Sequence, residues 1–387
     1  MSQNPLQRLT ELGQSVWYDY IRRDLYQGPE LHRLIAEDSL RGMTSNPTIF
    51  QQAIASTDLY DDDIRRLGEQ GLAPAAIFET VEVEDVSRAA DVFRSVYETT
   101  KGEDGFVSIE VGPHLARDTA ATIVEARRLW KACDRPNVMV KIPGSAEGLP
   151  AIQQCLSEGI NINITLLFSV RRYRQVMEAY LAALETRVAA GQPVDRLRSV
   201  ASFFVSRVDT NADKKLAAIS AATATPAAAG AAVAEARRQQ AADLRGKTAI
   251  ANARVAYRAY EEVFSGDRFA RLREKNAARQ RPLWASTSTK DPAYPDVYYV
   301  EALIAPCSVN TIPRETFDAY RDHGNPRIRI HDDLDRAQAV LAGLAELGID
   351  EEQIYRELEE EGIRKFADSY DSLLKAVEEK EKAVRVG

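Results

Sequence analysis

Cysteine and histidine are scarce in this chain of 387 residues. The three cysteines, Cys133, Cys155 and Cys307, stand far apart with no C-x-x-C pair. That count and spacing exclude a disulfide framework and fit reduced thiols. The four histidines, His32, His114, His323 and His331, show no H-x-x-x-H spacing, so no metal site is expected. No apolar run approaches the ~20 residues that span a bilayer. Residues 1–20 lack the basic start and apolar core of a secretory signal. These absences point to the cytoplasm and to no membrane partner. Dense basic runs are missing too. The chain has 50 Lys+Arg against 58 Asp+Glu, a formal charge of −8, which argues against nucleic acid as a partner. Neither a G-x-G-x-x-G after an early strand nor a P-loop is present, so both common nucleotide fingerprints are absent. Composition sets no oligomeric state; a monomer and a homodimer fit it equally.

What is present is globular. Hydrophobic residues make up 45% and charged residues 28%, enough apolar content for a large core and too much for wholesale disorder. Short apolar segments alternate with helical patterns. Strands are expected at 16–21, 40–46, 106–111, 138–142, 161–168, 200–207, 283–288 and 301–305, with helices at 115–132, 147–159 and 169–190. Eight strands separated by helices predict an α/β fold, a (β/α)8 TIM barrel formed as a single domain over 1–387. An open doubly wound sheet is the competing arrangement. Three stretches add to a bare barrel. Residues 58–101 predict two helices divided at Pro74. Residues 209–281 predict a helical insert between strands 6 and 7. Its alanine-rich run, 217–242, is interrupted by Pro226 and Gly230. Residues from about 351 to 387 predict a charged C-terminal helix packed on the barrel through Phe366, Leu373, Leu374 and Val377.

Alternation divides each strand into two faces. Val138, Val140 and Ile142 oppose Met139 and Lys141. Val107, Ile109 and Val111 oppose Ser108 and Glu110. Ile162, Ile164 and Leu166 oppose Asn161, Asn163 and Thr165. Asp19 shares a face with Trp17, Thr44 with Asn46, Ser202 with Phe204, and Ser286 with Ser288. One face is apolar, as packing against helices requires. The other turns polar toward the C-terminal end of strand after strand. An unpaired buried polar group costs about 1–3 kcal/mol, so packing alone does not explain the pattern. Barrel enzymes place their active sites at that end, and one convergent polar pocket is expected there.

Lys141 is the sharpest residue in it. Burial disfavours an ammonium ion, and a neutral amine attacks carbonyls to form a Schiff base. The alternative is a buried salt bridge, with Glu110 as the partner. Glu110 and Asp19 supply inward carboxylates, and Schiff-base chemistry needs a proton shuttle; one of them can act through a water held by Thr165. A helix cap or an ion pair is the alternative for Asp19. Asn46 and Asn163 suit the hydroxyls of a polyol, or else loop backbone. Arg207 and Lys290 lie just past strand ends, where both suit a phosphate.

Four segments together resemble the transaldolase family: GMTSNPTIF (42–50), VMVKIPG (138–144), EGININITLLFS (158–169) and ASFFVSRVD (201–209). Their order and spacing match, the likeness covers most of the chain, and the longer bacterial branch is the nearer one. The resemblance implies a cofactor-free barrel with its lysine on the fourth strand. It implies transfer of a dihydroxyacetone unit from sedoheptulose 7-phosphate to glyceraldehyde 3-phosphate, giving erythrose 4-phosphate and fructose 6-phosphate within the pentose phosphate pathway. Sugar phosphates are then the partners. The implied roles are Lys141 as Schiff-base former and Glu110 as acid/base through a water held with Thr165. Asp19 handles the C4 hydroxyl proton. Thr44, Asn46, Asn163 and Ser202 contact the three-carbon unit, Phe204 lines the pocket and Arg207 binds phosphate. Ser286 stands at the same mouth. Where family members carry a second arginine, this chain has Ser288, and Lys290 is the candidate substitute. A fructose 6-phosphate aldolase-like enzyme, which releases free dihydroxyacetone, is the alternative; those relatives have shorter barrels and lack the acid at Glu110. A catalytically idle scaffold would have lost central residues that are present here. A fused isomerase module would need more chain after the last strand.

Overall fold

The computed structural model describes residues 4–221 and 231–386. Eight parallel strands close into a barrel in chain order. They are β1 (Gln14–Asp19), β2 (Leu40–Thr44), β3 (Phe106–Glu110), β4 (Val138–Pro143), β5 (Ile162–Leu167), β6 (Ser199–Phe204), β7 (Arg281–Ala285) and β8 (Ser308–Ile312). Every neighbouring pair is parallel, and β8 pairs back onto β1 from Gln14↔Ser308 to Tyr18↔Ile312. This is the (β/α)8 barrel, with Lys141 on the fourth strand. The open sheet is excluded by the closing β1–β8 ladder.

The outer face of the strands is apolar as expected. Val107, Ile109, Val138, Val140, Ile142, Ile162 and Ile164 are all completely buried. Inside, Trp17 fills the barrel against Gly42. A Cβ at that glycine would stand 2.6 Å from the indole ring, so the close approach requires glycine. The N-terminal end carries a part-buried ion pair, Arg281 to Asp104 at 2.8 Å, with Ser15 donating to the same carboxylate at 2.7 Å.

The eighth strand is not where the sequence pattern put it. Residues 301–305 are not a strand; Tyr298–Ala302 is a short helix, and β8 follows it. Leu303, Ile304 and Ala305 are fully buried, and a short apolar run looks the same in a buried turn as in a strand. The true strand is masked by polar residues. Ser308 donates to Ala305 O at 2.6 Å and accepts from Gln14 at 2.9 Å, while Asn310 accepts from Thr287 at 3.0 Å. These bonds offset the burial of polar groups and remove the apolar alternation. A second departure lies in β5. Leu166 has φ +60°, the β5–β6 register shifts between Ile164 and Leu167, and Leu166 packs against Gly362 of the C-terminal helix. Leu166 therefore leaves the face it was expected to share with Ile162 and Ile164.

After the helix Pro47–Ser56, the stretch 58–101 between β2 and β3 forms Asp61–Glu69, Pro74–Val92 and Arg94–Thr99, three helices where two were expected, with Pro74 opening the longest. Between β6 and β7 lie Ser206–Ser220, Ala231–Leu244, Thr248–Ser265 and Asp267–Arg273. Thr248–Ser265 buries most of its length against Val170–Ala189 and Leu334–Glu346. The interruptions expected at Pro226 and Gly230 lie outside the described residues. The last helix, Glu351–Val386, packs on Pro47–Ser56, Asp61–Glu69 and Pro74–Val92 and also reaches β5. Leu373 and Val377 are fully buried on it.

Candidate active site

At the C-terminal end of the strands lies a cavity of about 440 Å³. Its wall holds Asp19 from β1, Thr44 and Asn46 at the end of β2, Lys141 from β4, Thr165 from β5, and Ser202 and Phe204 from β6. Arg207, Ser286, Ser288 and Lys290 line it from beyond β6 and β7. Ten of the residues singled out from sequence therefore share one wall: Asp19, Thr44, Asn46, Lys141, Thr165, Ser202, Phe204, Arg207, Ser286 and Lys290. Glu110 and Asn163 stand behind it.

Lys141 is 6% exposed. Its Nζ donates to Glu110 Oε2 at 3.2 Å and to the carbonyl of Ser45 at 3.2 Å, and it lies 5.5 Å from the centre of the Phe366 ring. The salt bridge weighed as an alternative is thus present. The same lysine also lines the large polar cavity. Burial pushes the Glu110 carboxyl above its ordinary range; the adjacent ammonium pulls it down and Asp19 pushes it up.

Asp19 ends β1 and accepts a hydrogen bond from Thr44 Oγ1 at 2.7 Å. Thr44 in turn contacts Thr311 Oγ1 at 2.7 Å. Burial raises the Asp19 carboxyl above its ordinary value. Lys141, the Thr44 hydroxyl, Arg207 and Lys290 all oppose that shift, in that order. A raised carboxylate facing three cations is suited to take and return a proton.

A chain of hydrogen bonds runs beneath the cavity. Ser202 donates to Asn163 Oδ1 at 2.7 Å, and Asn163 donates to Ser108 Oγ at 3.0 Å. Asn163 is completely buried, so it fixes Ser202 from behind and does not face the cavity. Thr165 Oγ1 is buried with no hydrogen-bond partner among the described residues. Asn46 opens the helix Pro47–Ser56, with its Oδ1 accepting from Ile49 N at 3.1 Å. That cap leaves the Nδ2 donors for a ligand oxygen.

The cationic side of the mouth is built from two segments. The Arg207 guanidinium lies 5.1 Å from the Phe204 ring, and Lys290 donates to Ser288 Oγ at 2.8 Å. Ser286, at φ +56°, contacts Ser206 Oγ at 2.9 Å and ties those two segments together. Sequence reading missed Thr311, which was lost with the misplaced eighth strand. It also missed Gln52 and Ile49 on the first turns after Asn46. Phe366, on the apolar stripe of the last helix, meets Lys141; nothing in a helix stripe says which of its apolar residues meets a site.

A closed parallel barrel whose mouth holds a buried amine between two carboxylates defines a barrel enzyme of the Schiff-base kind. The model of the Transaldolase/Fructose-6-phosphate aldolase family matches residues 16–377. Among curated proteins, the Transaldolase of Thermobifida fusca is 47% identical over 377 residues, covering 97% of both chains. Transaldolase 1 of Streptomyces coelicolor is 46% identical over 96% of this chain and 93% of its own. The Transaldolase of Mycolicibacterium smegmatis is 45% identical over 98% of both. The chain belongs to the transaldolase/fructose-6-phosphate aldolase family. Its activity is that of a transaldolase, a transferase that works through a Schiff base.

Proposed function

We propose that Lys141 attacks the C2 carbonyl of sedoheptulose 7-phosphate and passes its first three carbons to glyceraldehyde 3-phosphate. The carbinolamine loses water to give an iminium, for which Glu110 supplies and recovers the proton. Asp19 then takes the C4 hydroxyl proton, the C3–C4 bond breaks, and the iminium accepts the electron pair as an enamine. Erythrose 4-phosphate leaves. Glyceraldehyde 3-phosphate enters, the steps reverse, and hydrolysis releases fructose 6-phosphate. The observation that supports this most is the position of Lys141, bonded to Glu110 on one side and open on the other to the cavity that Asp19 also lines.

Thr44, Asn46 and Ser202 hold the three-carbon unit, and Arg207 with Lys290 bind the phosphate. Buried Cys133 and Cys155 are free thiols, in keeping with a cytoplasmic enzyme. Among the described residues no helix is long and apolar enough to cross a membrane. The test follows both products from fructose 6-phosphate, with and without erythrose 4-phosphate. Transfer to the aldose should far outpace release of free dihydroxyacetone. Release at a comparable rate with no acceptor would assign the chain to the aldolase side of its family.

A further inference from the structure

Behind Glu110, on the side away from Lys141, lies a second and much smaller cavity of about 20 Å³. That is room for one water molecule. Buried Glu110, Glu82 and Leu129 line it together with half-buried Glu79, Glu125 and Tyr370. Glu110 thus forms a partition. Its Oε2 meets the ammonium of Lys141, while the residue lines the rear cavity and not the substrate cavity.

Glu82 is the unusual member. It sits mid-helix in Pro74–Val92, is 7% exposed, and makes no hydrogen bond or ion pair among the described residues. Asp85, three residues on, shows what a structural carboxylate looks like at such a position: it is held by Arg23, Tyr26 and Tyr60. The titratable groups around Glu82 are Glu79 and Asp85 on its own helix, Glu110 from β3, Glu125 and Cys133 from Thr119–Cys133, and Tyr370 from the C-terminal helix. Glu79 and Glu125 themselves pair with Arg128. Burial and the surrounding carboxylates Glu110, Glu79, Glu125 and Asp85 hold Glu82 well above the ordinary carboxyl range, which favours its protonated form.

We propose that Glu82 passes protons between Glu110 and the surface through this rear cavity, so that the acid/base beside Lys141 is recharged from behind while substrate fills the mouth. The inference rests on the reading of Glu110 as the acid/base. The step is a plain proton relay. The Glu82 O–H breaks as a cavity water takes its proton, that water gives another to the Glu110 carboxylate, and solvent at the Glu79–Glu125 rim reprotonates Glu82. Substrate never touches Glu82; it acts through Glu110.

The test is steady-state transfer in light and heavy water for wild type, Glu82→Gln, Glu82→Leu and Glu110→Gln. Glutamine matches the protonated acid in shape but cannot relay. Glu82→Gln should lower kcat by roughly tenfold, less than the ~100- to 10,000-fold that an acid/base itself contributes. Its KM values should stay unchanged and its solvent isotope effect should rise. Glu82→Leu should do the same if it folds. Wild-type kcat in Glu82→Gln overturns the relay, and so does a lower kcat with an unchanged isotope effect, because a structural role predicts the latter. If Glu110→Gln turns over normally, it is the acid/base reading that fails, and the relay falls with it; a slow Glu110→Gln beside a normal Glu82→Gln sinks the relay alone.

Discussion

The Asp19–Thr44 hydrogen bond, after the charge of Lys141, limits how far burial pushes a carboxyl up. Burial raises Asp19, and the Thr44 hydroxyl is one of the groups that holds it down. Thr44→Val removes that hydroxyl with almost no change of shape. The carboxyl then rises further, so the acid limb of the kcat profile should move to higher pH; a limb that stays in place would mean Asp19 is not the group that must be ionised. Arg207 is a second single-residue case. It stands half-buried on Phe204, and a charge-assisted hydrogen bond is worth ~1.5–3 kcal/mol. Arg207→Ala should raise KM for phosphorylated sugars by about tenfold to a hundredfold with a smaller change in kcat, measured by initial rates. At this scale the sequence was informative. Alternation put Lys141 and Glu110 inward because both lie on strands paired without a shift, and it held for Asp19 and Thr165 although β1 and β5 each carry an irregularity. It could not tell wall from backing, so Asn163 and Glu110 were indistinguishable from residues that face the cavity.

At the level of elements, legibility follows how closely each segment obeys its period. The first seven strands carry apolar outer faces and overlap the expected ones. β8 instead hydrogen-bonds polar side chains on its buried surface, and with it went Thr311. Leu166 leaves the alternation through a left-handed backbone, which no pattern of two reveals. Packing inside the barrel offers its own test at β2. Gly42→Ala would drive a methyl into the rigid Trp17 ring, and overpacking of this kind costs ~1–3 kcal/mol. Thermal unfolding should show a lower Tm, whereas an unchanged Tm would mean the ring has room to move. A further test concerns Asp209, on the helix Ser206–Ser220 that also carries Arg207. It accepts from Ala249 N at 2.7 Å and from the Tyr299 hydroxyl at 2.9 Å, and burial raises it to about 7. A folded-state value above the unfolded one means this group's contribution is complete below about pH 4 and is lost as pH rises through about 7. Wild type should lose more stability to urea between about pH 5 and about pH 8 than Asp209→Asn does. Equal losses would contradict the raised carboxyl.

Across the whole molecule, the site is a product of closure. Residues from β1, β2, β4, β5 and β6 converge only because the ring is complete, and the helix Glu351–Val386 returns across it to set Phe366 over the amine. That long-range return is what local sequence patterns cannot express. The account stands or falls on whether this covered amine bonds to a ketose. Borohydride reduction with fructose 6-phosphate, followed by peptide mass mapping, measures it directly. A three-carbon adduct on the peptide carrying Lys141, absent from Lys141→Ala, is the predicted result. An adduct on a different lysine, or an enzyme that stays active and unlabelled after reduction, would contradict it.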